Sequence, residues 1–205
     1  MPAATRTTAA PCSLTPGLHA LLKQRTGSLH RRLDASPCML ALMRPGLDLP
    51  TYAGILQRFA LAYARIEPLL CELDHCRPAG LPAYRPRLPA LLDELAGLPE
   101  SVSRPFSPLP PPASDAGAHY FGMRYVVEGS TQGARLIFAQ LEKNLPQPAG
   151  AGFAYWRVQR EAATGWPLFR DCLDQAGVEP EALVQGAEAA FSVFIDAFVP
   201  PVHAA

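Results

Sequence analysis

The chain has little of what would direct a protein to a membrane, to nucleic acid or to the secretory route. Its apolar residues fall in short runs, and none approaches the roughly 18 consecutive residues that a membrane-spanning helix needs. Basic and acidic residues number 18 each, so the formal net charge is zero and no basic footprint for nucleic acid is present. The N-terminal stretch "MPAATRTTAAPC" lacks the apolar core of a signal peptide. These absences favour a cytoplasmic protein with neither a nucleic-acid nor a membrane partner.

Cysteine is scarce and irregularly spaced, and the motifs of several enzyme classes are missing. The five cysteines have neither the spacing of a disulfide framework nor that of a zinc site, which indicates reduced thiols. No Gly-x-Ser-x-Gly, phosphate-loop or Gly-x-Gly-x-x-Gly pattern occurs. One Glu-x-x-His runs from Glu72 to His75, but a di-iron bundle needs a second copy. Since the sequence has none, we interpret this one as coincidence.

Proline, by contrast, is abundant. The 23 prolines in 205 residues are about twice the usual share of roughly 5%. Many fall between segments whose apolar residues have helical spacing, above all in "LPESVSRPFSPLPPPASD", which predicts an extended connection at about residues 98–114. No alternating strand pattern competes with the helical spacing. We therefore expect an all-α fold with a single domain over residues 15–200, preceded by a disordered segment over residues 1–14.

Capping residues and prolines predict where the helices begin and end. Helix one is expected to start at Thr15, with Pro16 in its first turn, and "ASPC" ends it. A second helix follows "DLP", and Pro68 inside it predicts a kink or an early end. A shorter helix is expected at about residues 88–95. Three more helices are expected. The first covers a glycine-bearing segment that Ser114 or Asp115 caps and that runs to "KNLP". The other two cover "FAYWRVQREAATGWPLFRDCLD" and "EPEALVQGAEAAFSVFIDAF", the latter opened by Pro180.

The segment "YVVEGSTQGARLIF" reads as a buried helix but contains two interior glycines. Gly129 and Gly133 are four residues apart and therefore share a helix face. Each costs about 1 kcal/mol relative to alanine. From spacing alone, two interpretations stay open: another helix backbone approaches closely, or a flat and bulky group lies against the bare face. In the second case the hydroxyls of Ser130 and Thr131 lie beside the opening.

Among the five histidines, two on helix one could bind a metal. His30 lies at the edge of the apolar stripe, next to Leu29 and one turn before Leu33, where a neutral imidazole nitrogen could bind iron. His19, eleven residues earlier, faces nearly the same way. The helix face alone therefore does not choose between them.

The order of these features resembles the heme oxygenases, above all the bacterial type that supplies biliverdin to bacteriophytochromes. The likeness covers about Leu18 to Phe198. "LKQRTGSLHRRLD" resembles the family's proximal helix, whose histidine ligates the heme iron, and this implies His30 as the axial ligand. "RYVVEGSTQGARLI" resembles the distal helix and implies that Gly129, Ser130 and Gly133 form the catalytic face. "YAGILQRFALAYARIEPLL", "LPALLDELAGL" and "FAYWRVQREAATGWPLFRDCLD" resemble further helices of the family.

The resemblance implies a helical bundle that holds heme between the proximal and distal helices. Heme would be both cofactor and substrate, cleaved with O2 and electrons from an external donor to biliverdin, carbon monoxide and ferrous iron. Bulky distal side chains would obstruct oxidation of the ring, so the two glycines leave the necessary room. Backbone carbonyls exposed there would hold ordered water, which bridges polar groups almost as well as direct contact. That water would direct oxidation to a meso carbon.

Heme propionates need cations at the mouth of the site. Lys23 lies about two turns before His30 on nearly the same helix face, and it matches a basic residue in related proximal helices. It is therefore the first candidate. Arg124 and Tyr125, at the start of the distal segment, are the next candidates.

The sequence departs from the family at two distal positions. Ala134 follows Gly133 where the family commonly has a second glycine, and we expect its methyl near the distal face. Gln132 stands where the family often has an apolar residue, and it could join the water network. Both departures bear on which meso carbon is attacked.

The sequence is compatible with three functions. The first is a cytoplasmic heme-degrading monooxygenase, served by a reductase or ferredoxin-type donor, that supplies a bacteriophytochrome with biliverdin or recovers iron. The second is a non-enzymatic heme-binding or partner-docking protein of the same fold. The third is an unrelated helical interaction module in which Gly129 and Gly133 only pack helices together.

Overall fold

The computed structural model of the chain describes residues 17–98, 107–113, 115–145 and 152–199. This part of the chain is helical and contains no β-strand, so the all-α prediction is confirmed. Its helices are α1 Leu18–Asp34, α2 Pro37–Leu42, α3 Leu49–Glu72, α4 Leu88–Ala96, α5 Ala116–Gly129, α6 Thr131–Asn144, α7 Ala154–Ala162, α8 Trp166–Asp174 and α9 Pro180–Phe198. Short 3₁₀ turns cover Leu73–Cys76 and Ala163–Gly165. None of the described helices is long and apolar enough to cross a membrane.

Helix α9 lies at the centre of the bundle and packs against α1, α3 and α5. Its buried positions recur on several sides of the helix, as expected for an element surrounded by others. Pro180 occupies the first turn, as predicted, and the carboxylate of Glu179 caps it by accepting from the backbone N–H groups of Glu181 and Ala182. The single hydrophobic core of the described residues forms around this helix.

Two glycines allow α5 and α9 to cross with their backbones in contact. A Cβ atom placed on Gly122 would lie 2.1 Å from the carbonyl oxygen of Leu183, and one placed on Gly186 would lie 2.6 Å from that of His119. No side chain fits at such distances, so these positions require glycine. The close helix approach that the sequence suggested for Gly129 and Gly133 is therefore found at a different pair of glycines.

The ends of α1 and α5 depend on acidic caps. The predicted start of helix one at Thr15 and Pro16 lies outside the described residues, as does the segment 1–14. Gly17 precedes α1, and the backbone N–H of His19 donates to Asp174 Oδ1 at 2.7 Å. Of the two residues predicted to cap α5, Ser114 is not described, whereas Asp115 accepts from the backbone N–H of Ala118 at 2.9 Å.

Two predictions about where helices begin and end need correction. The stretch "ASPC" ends α1 as expected but also starts the short helix α2, which we did not predict. Ser36 caps it, accepting from the backbone N–H of Met39 at 3.3 Å. Pro68 does not end α3, which continues to Glu72. Buried apolar residues on both sides of Pro68, including Ile66 and Leu69, offset the lost backbone hydrogen bond.

Two segments that we predicted as single helices are each divided. The glycine-bearing segment is split into α5 and α6 at Ser130, and the later segment is split into α7 and α8 at the 3₁₀ turn. Pro167, in the first turn of α8, has no N–H to donate to the preceding turn, which explains the second break. Part of the proline-rich connection is outside the described residues; residues 107–113 are not helical, and Leu109 donates its N–H to the Arg65 carbonyl at 2.9 Å.

The close crossing of α5 and α9 predicts that a side chain added at Gly122 strongly destabilises the fold. We expect Gly122→Ala to lower the free energy of unfolding by about 3 kcal/mol or more, because the new methyl overlaps backbone that cannot move aside. Urea unfolding followed by circular dichroism measures the change. Gly54→Ala is the matched control, since a Cβ there meets no atom within 4 Å in the interior of α3, and we expect it to be neutral or stabilising by up to about 1 kcal/mol. Equal midpoints for Gly122→Ala and wild type would contradict the backbone contact.

Candidate functional site

The bend between α5 and α6 is formed by hydroxyl groups that bond back to the helix. Ser130 separates the two helices; its hydroxyl donates to the Val127 carbonyl at 2.8 Å, and its N–H donates to the Val126 carbonyl at 3.0 Å. The hydroxyl of Thr131 donates to the Glu128 carbonyl at 2.6 Å. The two hydroxyl bonds are of the kind that competes with the regular helix pattern and bends helices, whereas the Ser130 N–H makes the regular helix bond. The predicted distal helix is therefore two helices joined at Ser130.

The two glycines of the predicted site have different surroundings. A Cβ atom on Gly133 would meet no atom within 4 Å, whereas one on Gly129 would lie 3.5 Å from Cη2 of Trp166. Gly133 is exposed, and Gly129 is half-buried. Helix packing therefore does not explain Gly133. Its bare backbone leaves room for a flat group on the exposed side of α6.

The neighbours of Gly133 divide between the exposed and buried sides of α6. Ala134 is only 1% exposed and belongs to the hydrophobic core. Its methyl packs among core residues, whereas Gly133 lies on the exposed side of the helix. Gln132 is exposed, and its amide donates to the Thr131 hydroxyl at 3.1 Å.

His30 has the surroundings of an available metal ligand. Its Nδ1 lies 2.8 Å from Oδ2 of Asp34, one turn later, and its side chain is 61% exposed. A carboxylate on Nδ1 favours the tautomer that leaves Nε2 free to bind a metal, and it also orients the ring. The ring lies 6.1 Å from the ring of Phe191 in α9, measured between centroids.

His19 lies in a different environment on the same helix. Its ring centroid is 6.1 Å from that of Tyr125 and 5.9 Å from that of Trp166. Burial and the nearby charge of Arg170 lower its pKa, and Asp174 opposes this shift. The imidazole is therefore neutral near pH 7 and packed against aromatic rings. The structure thus separates the two histidines that the helix face could not distinguish.

Cations from two helices lie near His19. Lys23 is exposed, and its charge contributes to the lowered pKa of the His19 imidazole, as does that of Arg170 in α8. Sequence reasoning missed Arg170. The available signal was its place one helical turn after Trp166 in "WPLFRDCLD". Together, Lys23 and Arg170 form a basic edge beside the N-terminal half of α1.

The two other predicted contacts to propionates differ from Lys23. Arg124 is 3% exposed; it donates to Glu128 Oε1 at 3.3 Å and to the Pro82 carbonyl at 2.8 Å, and it also bonds the Tyr120 hydroxyl. Its donors are thus occupied inside the protein, which speaks against a role at the mouth of a site. Tyr125 is half-buried; burial raises the pKa of its phenol, and a hydrogen bond with Thr26 opposes the shift.

A buried network of polar side chains is hydrogen-bonded to the bend at Ser130. Gln159 of α7 is 2% exposed, and its amide nitrogen lies 2.8 Å from the Tyr155 hydroxyl, 3.2 Å from that of Tyr63 and 3.4 Å from that of Ser130. Its amide oxygen accepts from Nε of Arg87 at 3.0 Å. Burial raises the pKa of Tyr63, so this phenol stays protonated and can donate. The Ser130 hydroxyl is therefore in contact with the protein interior.

Arg87 connects this network to the residue before Gly129. Its Nη2 donates to Glu128 Oε2 at 3.0 Å, and its side chain is 1% exposed. Arg124 donates to the other oxygen of the same carboxylate. Both oxygens of Glu128 are thus paired, as a buried charge requires. No linear motif indicated this arrangement, because Arg87 and Glu128 are far apart in the sequence.

The isolated Glu-x-x-His does not form a metal site. Nδ1 of His75 lies 2.8 Å from the backbone carbonyl oxygen of Glu72, rather than from its carboxylate. Among the described residues, no group of three or more His, Cys, Asp or Glu side chains is placed to hold a metal ion. A single imidazole with open space nearby, as at His30, suits a metal that arrives in an organic ring.

Comparison with solved structures identifies the class of fold. The chain superimposes on heme oxygenase from Leptospira interrogans with a TM-score of 0.62 at 18% identity, covering 89% of this chain and 98% of that one. It also superimposes on NO- and CO-bound heme oxygenase from Neisseria meningitidis with a TM-score of 0.60 at 21% identity, covering 90% and 93% of the two chains. The bundle therefore has the heme oxygenase fold.

Comparison of sequences gives the family. The heme oxygenase family model matches residues 17–199. A heme oxygenase from Xanthomonas campestris pv. campestris is 35% identical over 160 residues, which are 76% of this chain and 93% of that protein. The chain belongs to the heme oxygenase family, a family of heme-degrading enzymes.

The buried ion pair between Arg87 and Glu128 predicts that replacing the arginine by an uncharged residue strongly lowers stability. We expect Arg87→Met to lower the free energy of unfolding by about 3–5 kcal/mol, because it leaves a buried Glu128 oxygen without its partner. Arg85→Met is the matched control two residues away, since Arg85 pairs with Glu161 where both side chains are about 60% exposed, and we expect a change within about 0.5 kcal/mol. Thermal and urea unfolding measure both. Similar losses for the two variants would show that burial of the Arg87 pair is not decisive.

Proposed function

We propose that this protein binds heme between His30 of α1 and the bend that joins α5 to α6, and that it cleaves the ring to biliverdin, carbon monoxide and ferrous iron. The observation that carries the proposal is the open space above Gly133 in a chain of the heme oxygenase family. The packing of Ala134 and Phe138 into the core leaves the bare backbone of Gly133 on the exposed side of the helix.

His30 is the proposed axial ligand. Asp34 accepts from Nδ1 and thereby holds the ring in the tautomer whose Nε2 can bind iron. The ring is exposed, so no rearrangement of the core is needed for a planar ligand to reach it. Phe191 of α9 lies beside the imidazole and limits its rotation.

Gly129, Ser130 and Gly133 form the proposed distal face. Heme, when bound, supplies the iron that activates O2 and the ring that is oxidised. Gly133 provides space, because any side chain there would extend towards the ring. Ser130 provides a hydroxyl whose position is set by the Val127 carbonyl and by Gln159. Backbone groups at such a bend can hold ordered water, which would deliver protons to the face of the ring where O2 is activated.

Lys23 and Arg170 are the proposed partners of the propionates. Both charges act on the His19 imidazole, so both lie near the aromatic residues that surround it. Lys23 is exposed and able to turn towards a carboxylate, which it would bind as a point charge. We leave Arg124 out of this set because it is buried and paired, and we keep Tyr125 as a wall of the site.

The proposal includes an external electron donor of the reductase or ferredoxin type, since the family uses electrons that heme and O2 do not supply. We propose a cytoplasmic location. Biliverdin would pass to a bacteriophytochrome, or the released iron would be recovered. A non-enzymatic heme-binding protein of the same fold would bind heme without converting it, so turnover distinguishes the two functions.

Hemin binding tests the axial ligand. We expect one equivalent of hemin to give a sharp Soret band with wild type, and His30→Ala to weaken binding by at least about tenfold, which is 1.4 kcal/mol. His19→Ala is the control on the same helix and should keep the band. Ascorbate in air should then convert the wild-type complex to biliverdin. Loss of the band in His19→Ala alone would move the ligand to His19, and a stable complex without product would favour the non-enzymatic function.

The space above Gly133 can be filled by mutation. We expect Gly133→Leu to lower the rate of heme conversion by about 100-fold, because displacement of the ring by one side chain misplaces the reacting groups. Hemin should still bind through His30. Ala139→Leu, at another exposed position of α6, is the control and should stay within about twofold of wild type. An active Gly133→Leu protein with a lowered melting temperature would instead indicate a packing role.

A further inference from the structure

Trp166 occupies a defined place beside the bend that the proposed function does not use. It is the first residue of α8 and follows the 3₁₀ turn that separates α8 from α7. Its indole is half-buried and packs against three rings, which together with it form an aromatic cluster. The cluster consists of His19, Tyr125, Trp166 and Phe169.

The geometry of the cluster holds the indole in one orientation. Its ring stacks on Phe169 at 5.7 Å and 20°, meets Tyr125 at 5.7 Å and 45°, and meets His19 edge-on at 5.9 Å and 73°. Offset-stacked and edge-to-face arrangements at these distances are the favourable ones for aromatic pairs. Because the neighbours come from α1, α5 and α8, the indole is fixed by three helices. It is therefore a rigid wall rather than an adjustable surface residue.

The wall touches the distal face at one glycine and not at the other. Cη2 and Cζ3 of Trp166 lie 3.5 and 3.7 Å from the position of a Cβ atom on Gly129, which is ordinary van der Waals contact. The corresponding position on Gly133 is open. Gly133 follows Gly129 by four residues, just beyond the bend, and a ring as wide as a porphyrin that lies over Gly133 also covers the neighbourhood of Gly129. A ring that lies over Gly133 therefore extends as far as the indole.

Helix α8 also brings a charge to the same side. Arg170 follows Trp166 by four residues, so the two side chains share a face of α8. Heme has propionates on one edge and only apolar substituents on the opposite edge. Rotation of the ring in its own plane changes which of its substituents face this side. An indole and a guanidinium at adjacent positions therefore favour one in-plane orientation of the heme over the others.

We propose that Trp166 is a specificity-determining residue: its indole edge blocks in-plane rotation of the porphyrin over Gly133 and thereby selects the meso carbon that lies at the bend. The proposal rests on the proposed heme site. Removal of the indole should allow a second in-plane orientation, and the product should change from one biliverdin isomer to a mixture.

The test uses Trp166→Ala and Trp166→Phe, with Leu168→Ala as the matched control. Leu168 is also in α8 but is 44% exposed and outside the aromatic cluster. Proton NMR of the ferric, cyanide-bound complex reports the in-plane orientation through the heme methyl resonances, independently of turnover. Chromatography of the product separates the biliverdin isomers.

We expect a single dominant set of heme methyl resonances for wild type and Leu168→Ala. Trp166→Ala should raise the ratio of the minor to the major orientation by at least about fivefold, the size of effect expected for one lost aromatic contact. The isomer ratio should follow it, and Trp166→Phe should fall between. Trp166→Phe keeps an aromatic ring in the cluster, so it provides the comparison if Trp166→Ala does not fold.

Two outcomes would contradict the inference in distinguishable ways. Unchanged methyl resonances and isomer ratios in folded Trp166 variants that bind hemin normally would show that the indole does not set the orientation, and the heme site would stand. Failure of wild type to bind hemin through His30 would instead overturn the proposed function, and the role of Trp166 with it.

Discussion

The backbone of α5 rests directly on the backbone of α9 at Gly122 and Gly186, and the geometry of the candidate site follows from that contact. The bend at Ser130 is the end of α5, so its position is set by a crossing that tolerates no side chain. The same central helix carries Phe191, whose ring lies beside His30. α9 therefore supports both the helix that bears the proposed ligand and the helix that leads to the proposed distal face. The distance between ligand and bend is a property of this shared support.

Charged and polar side chains are buried on the inner side of the bend, whereas the outer side at Gly133 carries no side chain. Arg87, Glu128 and Gln159 are buried, and each finds partners among its neighbours. Buried charge is costly unless every group is satisfied, and a satisfied network in a low-dielectric interior holds its members in one arrangement. The backbone at the bend thus has little freedom to adjust when a ligand arrives. Space comes from missing side chains, whereas rigidity comes from the ion pairs and hydrogen bonds below them.

Sequence reasoning succeeded where the signal is local. Periodicity and caps such as Asp115 predicted where most of the helices lie, although the glycine spacing did not reveal that the distal segment is divided at Ser130. It missed α2, although Ser36 and Pro37 spell a helix start. It did not indicate that Arg124 and Ala134 are buried, because whether a side chain faces solvent or core depends on elements far away in the chain. The basic edge that includes Arg170 was missed for the same reason, since only the folded bundle brings α8 next to α1.

The hydrogen bond between Asp174 and the backbone of His19 gives the two ends of α1 different mechanical roles. It joins the first turn of α1 to the last residue of α8, and a methyl on Gly17 would lie only 2.8 Å from the same carboxylate oxygen. The Asp34 partner of His30, in contrast, belongs to α1 itself and moves with it. If α1 swings to admit a ligand, its pivot is therefore the Gly17 end. The lever arm to His30 is about 20 Å at 1.5 Å per residue, so a rotation of a few degrees at the pivot displaces the imidazole by an ångström or more.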